Sequence, residues 1–247
     1  MVAYYGTAYG WITALAILPG AVLSALFPRL ADYSRPGGTP EDRERLRRLV
    51  ERSFRAMATL GLGAATLLYW VGPELIRLLY QLDAYPPGTI DAAFQSLSGL
   101  GGLLFLTMVV SNVLRAANRG RAVLLLMLGA TGVHLLAGAL LMGRYHHRGA
   151  GWAAGLSELF LVLVGTGYIH WKLAPVPGVG VWTRLLLLGL LSNGFFSLVR
   201  SWPIWGSLPT GAVLYAGLAL MLRLIRWGDF LPTNGALRIG SPPSWES

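Results

Sequence analysis

Seven stretches almost free of charge run through the chain, at 3–28, 56–73, 92–114, 122–143, 149–171, 185–199 and 201–222. A bilayer core of about 30 Å takes about 20 mostly apolar residues per helix. In lipid every backbone polar group must be satisfied internally, so only helices and closed barrels span. Barrel strands alternate apolar and polar residues, and these runs do not alternate. The fold class expected is therefore all-α, a polytopic transmembrane helix bundle of about seven spans. Hydrophobic residues at 54% against 13% charged disfavour a soluble globular domain. One domain at 1–227 is expected, with residues 228–247 a disordered cytoplasmic tail holding three prolines and little apolar periodicity. With no cysteine, disulfides and thiolate metal sites are excluded, and no cofactor is expected.

The net charge of +9 could suggest nucleic acid, but the positions of the basic residues argue otherwise. If the seven spans alternate, sixteen of the 20 fall in gaps on one side: 29–55, 115–121, Lys172 with Arg184, and the region after Ser201. Arg77, Arg144, Arg148 and Arg200 fall on the other. Basic residues concentrate on the cytoplasmic side, which puts the N-terminus outside and the C-terminus inside. Nucleic-acid binding is dropped as an explanation of the charge. Met1 leads straight into an apolar span with no basic leader segment, so the pattern is expected to continue from helices upstream.

The gap at 33–55 is the richest. Ser34, Pro36, Gly37 and Gly38 form a turn, and Thr39-Pro40-Glu41-Asp42 has the makings of a helix start: a capping hydroxyl, a proline at the first position and two acids at the positive dipole end. Leu46, Leu49, Val50 and Phe54 then share one helical face, with Arg43, Arg45, Arg47, Arg48, Arg52 and Arg55 on the rest. This predicts a basic amphipathic helix near 40–55, lying on the cytoplasmic membrane surface. The stretch 80–91 has no basic residue and is expected outside. Residues 115–121 form a short inside turn, 145–148 a short outside turn, and 173–183 a loop before the last two spans. Gly61, Gly63, Gly99, Gly101, Gly102, Gly129, Gly132, Gly151 and Gly155 are expected to let helices approach closely. Pro19 should bend the first span.

Three elements in the first span, Tyr5-Gly6-Thr7-Ala8-Tyr9, Leu18-Pro19 and Ala25-Leu26-Phe27-Pro28-Arg29-Leu30, follow one another as in a known pattern. Glu74-Leu-Ile-Arg-Leu-Leu-Tyr80, Leu114-Arg115-Ala-Ala-Asn-Arg-Gly120-Arg121 and Gly149-Ala-Gly-Trp-Ala-Ala-Gly155-Leu-Ser-Glu158 continue it. In order and spacing these resemble the C-terminal half of oligosaccharide flippases, the polysaccharide-biosynthesis branch of the multidrug/oligosaccharidyl-lipid/polysaccharide exporter superfamily. The resemblance covers about residues 2–172. His134 departs from it, since the family more often has asparagine there. It implies a bacterial plasma-membrane protein that flips an undecaprenyl-pyrophosphate-linked oligosaccharide between leaflets, through a cavity between two bundles. The partners it implies are the lipid-linked oligosaccharide, membrane lipids, an N-terminal lobe or second copy, and glycan-assembly enzymes.

Ionisable and amide groups within the spans are the candidates for substrate binding or coupling, because burying them in a membrane is costly. Glu158 and His134 both lie about 12–13 Å from the outer edge at 1.5 Å per residue, on neighbouring antiparallel spans. They are expected to approach each other, either as a structural hydrogen bond or as a proton-coupling pair. Asn112 and Arg115 could meet the pyrophosphate at the inner end of the third span, or Arg115 could simply reach the headgroups. Asn193, central in the sixth span, is expected to bond a neighbouring helix. Glu74 and Arg77, three apart, should pair on a helix surface. His146 and His147 have no third ligand nearby in sequence, so no metal site is expected. No cysteine nucleophile, H-E-x-x-H or Ser–His–acid set argues for an enzyme. The alternatives are a membrane-embedded glycosyltransferase or ligase, which would usually carry a large outside loop, and a non-transporting membrane scaffold.

Overall fold

The computed structural model describes residues 2–80, 89–199 and 202–225. The tail at 228–247 and most of the loop at 80–91 lie outside the described residues. Among the described residues all regular structure is helical: α1 Val2–Leu15, α2 Ile17–Tyr33, α3 Pro40–Trp70, α4 Gly72–Tyr80, α5 Thr89–Ala116, α6 Gly120–Lys172, α7 Val179–Leu198 and α8 Ile204–Met221. Five segments are long and apolar enough to cross a membrane: Tyr9–Tyr33, Phe94–Ala116, Gly120–Tyr145, Gly149–Lys172 and Val179–Leu198. Of the seven stretches expected, 56–73 and 201–222 are not among them. The first carries Thr59, Thr66, Gly61 and Gly63, which dilute its hydropathy.

The first span is two helices. A proline ring clashes with the carbonyl four residues earlier and donates no hydrogen bond. For Pro19 that carbonyl belongs to Leu15, where α1 stops, and α2 starts at Ile17. The expected bend is there.

α3 begins as its sequence demands. Thr39 Oγ1 accepts from the Asp42 N–H (3.2 Å), and Asp42 Oδ2 accepts from the Thr39 N–H (3.0 Å), a reciprocal cap with Pro40 following. The helix then runs without interruption for 31 residues. The basic amphipathic helix expected near 40–55 is the first half of this helix. The arginine-bearing half runs on into 56–70, and its apolar face meets protein. Leu46, Val50 and Phe54 are buried together with Leu30 of α2 and Val113 and Leu114 of α5. The periodicity found the apolar face; it could not tell core from lipid, which are equally apolar partners.

The turn between α5 and α6 closes on Asn118, in the left-handed region at φ 55°. The Arg119 N–H reaches back to Leu114 O (2.8 Å), which ends α5 and leaves the arginines at the bend. α6 is helical throughout yet cannot be straight. A straight helix would hold Gly129 and Phe160 about 46 Å apart, but a β-carbon on Gly129 would lie 2.8 Å from the Phe160 ring. The helix doubles back just before Gly149, where the backbone abuts the Leu141 carbonyl, so α6 is a hairpin of two spans.

α5 is the central post. α1, α2, α3 and both limbs of α6 pack around it, and α3 in turn carries α7. α3 runs antiparallel to α5: a β-carbon on Gly61 would lie 2.6 Å from the Gly102 carbonyl oxygen, and one on Gly72 would strike the Phe94 ring. Gly63 leaves room for the Tyr215 ring of α8, whose hydroxyl donates to the Thr59 carbonyl oxygen. Gly101, Gly129 and Gly151 also sit at close contacts. Gly99, Gly132 and Gly155 face open space, so the close approach expected of them is not made.

Candidate functional site

Glu158 sits on the second limb of α6, nine residues beyond Gly149, about 14 Å along the helix from the hairpin's tip. Its neighbours on the same face explain its direction. Gly151 lets Ser96 of α5 come close, Val162 is buried, and Gly165 abuts Val110 of α5. Glu158 therefore points at α5, where Thr107 Oγ1 donates to Glu158 Oε2 (2.5 Å). The carboxylate is half-buried, and this hydroxyl is its hydrogen-bond partner.

The expected approach of His134 to Glu158 is not made. His134 Nδ1 lies 3.5 Å from the hydroxyl of Ser157, and that hydroxyl already donates to the Ala154 carbonyl oxygen (2.8 Å). Successive residues on a helix are about 100° apart. With Glu158 turned to α5, its predecessor faces the first limb of the hairpin. His134 itself is exposed. Depth along the span was readable from the sequence, and azimuth was not.

Asn193 makes the interhelical bond expected of it. Its Oδ1 accepts from the Trp70 indole N–H of α3 (2.9 Å), while its Nδ2 donates to Gly189 O (2.9 Å). Asn112 turns inward to its own helix, donating to Met108 O (3.2 Å), and Arg115 is exposed one turn further on. Asn112 and Arg115 stand about 8 and 12 Å along α5 from Thr107, at 1.5 Å per residue. The five candidates therefore do not converge on one centre. Two of them, Glu158 and Asn193, tie separate helices to the bundle. Thr107 was missed, although it is the one hydroxyl in the apolar run 99–110.

No family model, curated protein or solved structure matches the chain. Function must come from its own geometry.

Two further features frame the bundle. At the N-terminal end of α3, Arg47 and Arg48 both hold Glu44, at 2.7 and 2.9 Å. These guanidiniums, Arg47 foremost, pull the Glu44 carboxyl down to about 2. Asp42 is lowered by its bonds to Thr39, and Arg47 is raised by Glu44. Arg43 and Arg45 are left facing solvent beside them. At the other end of α3 a cavity of about 220 Å³ opens, with Trp70, Glu74, Arg77, Gln95, Phe196 and Trp202 on its walls. Glu74 and Arg77 make the ion pair expected at that spacing (2.6 Å). Twelve residues of α5, about 18 Å, separate Gln95 from Thr107, so the cavity and the buried carboxylate are distinct places. Among the described residues no cluster of His, Asp and Glu could hold a metal ion.

Proposed function

We propose that this bundle forms one wall of a transporter that flips an undecaprenyl-pyrophosphate-linked oligosaccharide across the bacterial plasma membrane by alternating access. The Thr107–Glu158 hydrogen bond is the observation that carries this reading. An ionisable group well inside a membrane span is expensive to keep, and such groups line substrate or proton pathways far more often than they decorate packing. The order of motifs along 2–172 supports the same reading, as does the break at Ala16 above Pro19, since interrupted helices flank the moving parts of transporters. A pyrophosphate and its sugars cannot enter hydrocarbon, so they need a polar path between this wall and a second bundle, on the same polypeptide or in another copy.

In this reading α3 and α8 also cross, making seven spans. α3 lies alongside α5 over the whole length of a candidate span. Because neighbours cover much of it, it can afford glycine and threonine where a lipid-facing helix would need leucine. The arginine-rich end of α3 then faces the cytoplasm.

The test is flipping of a fluorescent polyprenyl-pyrophosphate glycan in proteoliposomes. Glu158→Gln, which keeps the shape and the Thr107 contact but removes the ionisable proton, should slow flipping by about 10²–10⁴-fold, the range that a positioned proton-transfer group contributes. Unchanged flipping removes Glu158 from the mechanism. Lengthening or ligation of the glycan, without flipping, would replace the transport reading with the glycan-assembly enzyme.

A further inference from the structure

We propose that the cavity beyond the C-terminal end of α3 is a binding subsite for one neutral sugar ring. Its apolar wall is built and fixed. Trp70 and Phe196 lie almost parallel, with ring centres 6.5 Å apart and planes 13° from each other. The Trp70 indole N–H is held by Asn193, so the ring cannot swing away. Val71 and Val199 pack with Phe196 and also line the cavity. Trp202, half exposed at 51%, presents a third aromatic surface at the rim.

A carboxylate, a guanidinium and an amide, on Glu74, Arg77 and Gln95, share the cavity's lining with these rings. Aromatic rings and polar groups lining one cavity suit a ligand that is apolar on its faces and hydroxylated around its edge. A pyranose is such a ligand.

Charge separates the sugar from the other ligands that aromatic pockets take. An aromatic cage for a quaternary ammonium gains from an uncompensated acid, and a phosphate site needs an uncompensated guanidinium. Here Glu74 and Arg77 neutralise each other at 2.6 Å. Together they offer acceptors and donors with no net charge, which favours neutral hydroxyls. Size sets the rest. At about 220 Å³ the cavity is smaller than the ~300–1,000 Å³ of drug-sized pockets. It takes one ring and not a chain.

The transport reading supplies a source for such a ring, the glycan of the lipid-linked substrate, and only that identification rests on it. The chemistry of the cavity stands apart. The protein in nanodiscs is titrated with a panel of methyl glycosides covering neutral hexoses, deoxyhexoses and N-acetylhexosamines, followed by saturation-transfer NMR. Tetramethylammonium and inorganic phosphate are the charged counterparts. At least one neutral glycoside should bind with Kd below ~10 mM, and Trp202→Ala and Gln95→Ala should each weaken it by about tenfold. Both positions are exposed, so neither change empties the core.

The proposal is overturned if no neutral glycoside binds in that range, if a charged probe binds in its place, or if both variants leave binding untouched. Competition by a lipid-linked glycan added to the nanodisc assigns the ring to the membrane substrate. Binding of free glycosides without that competition keeps the subsite and assigns it a water-soluble sugar. Loss of flipping in liposomes with glycoside binding intact counts against the transport reading alone.

Discussion

Two side chains stand in backbone conformations that most residues avoid, and they differ in how well they suit them. Asn118 and Arg223 both have φ 55°. Each closes a helix with a backward bond, Arg119 N–H to Leu114 O (2.8 Å) and Leu224 N–H to Ala219 O (3.0 Å). Asparagine visits this region readily, whereas a long side chain with a full Cβ pays roughly 1–2 kcal/mol. Arg223→Gly should therefore raise the unfolding midpoint in mild detergent, with a gain of up to about 1 kcal/mol once glycine's added chain entropy is subtracted. Asn118→Ala should lower it by about 1 kcal/mol. Equal effects of one sign would mean these turns rearrange instead of holding their geometry. At this scale the sequence was readable where one residue acts on its own backbone, as at Pro19 and Thr39. It was silent where a side chain had to choose between two apolar neighbours. His134 and Glu158 share a depth, but the 100° between Ser157 and Glu158 sends them to different partners.

Among the elements, α3 holds the most unusual mixture, an arginine-rich half and a glycine-rich half on one axis. The reciprocal cap at Thr39 and Asp42 and the Glu44–Arg47–Arg48 cluster stabilise its first turns. Thr39→Ala should cost about 1 kcal/mol of local helix stability. The carboxylates add a pH dependence of definite sign. Glu44 is lowered from 4.5 to about 2, and Asp42 moves the same way. A group whose folded value is depressed stabilises above its unfolded value and loses that contribution as pH falls through the folded one. Carbon chemical shifts over residues 40–48 should thus report full helix at pH 7 and fraying as pH drops from about 4.5 toward about 2. No change over that interval would deny the cluster its role.

The other half of α3 depends on space. A β-carbon on Gly61 would lie 2.6 Å from the backbone of α5, whereas one on Gly155 meets nothing within 4 Å. Gly61→Val should destabilise by about 1–3 kcal/mol by parting the two helices, while Gly155→Ala should be neutral or slightly stabilising. Both glycines look alike in the sequence, each in a run of small residues. What distinguishes them is the neighbour across the gap, and that is tertiary information.

For the molecule as a whole the open quantity is how many times the chain crosses. Hydropathy undervalued α3, whose residues 56–70 mix glycine and threonine with leucine. Leu124, Leu125, Leu135, Leu136 and Leu140 on α6 are all more than half exposed, as lipid-facing positions should be. α3 instead buries Phe54, Met57, Thr59, Gly61 and Leu68 among other helices. A helix surrounded by protein can be less apolar than one bathed in hydrocarbon and still cross. Its length agrees, since 31 residues span about 46 Å, close to the roughly 40–45 Å of a bilayer with its headgroups. Arg45, in the second turn of α3, and Glu74, in α4 just past its end, bracket the helix, and their side chains are both exposed, at 57% and 55%. The chain has no cysteine of its own, so single cysteines at these positions can be read without background. Labelled in sealed membranes with an impermeant maleimide, Glu74→Cys should react from outside, and Arg45→Cys only after the membrane is opened. If both react from one face, α3 does not cross, α4 and the cavity move to the arginine side, and the span count falls with them. If the two react from opposite faces but with Arg45 outside, α3 still crosses, and the bundle is inverted relative to its arginines.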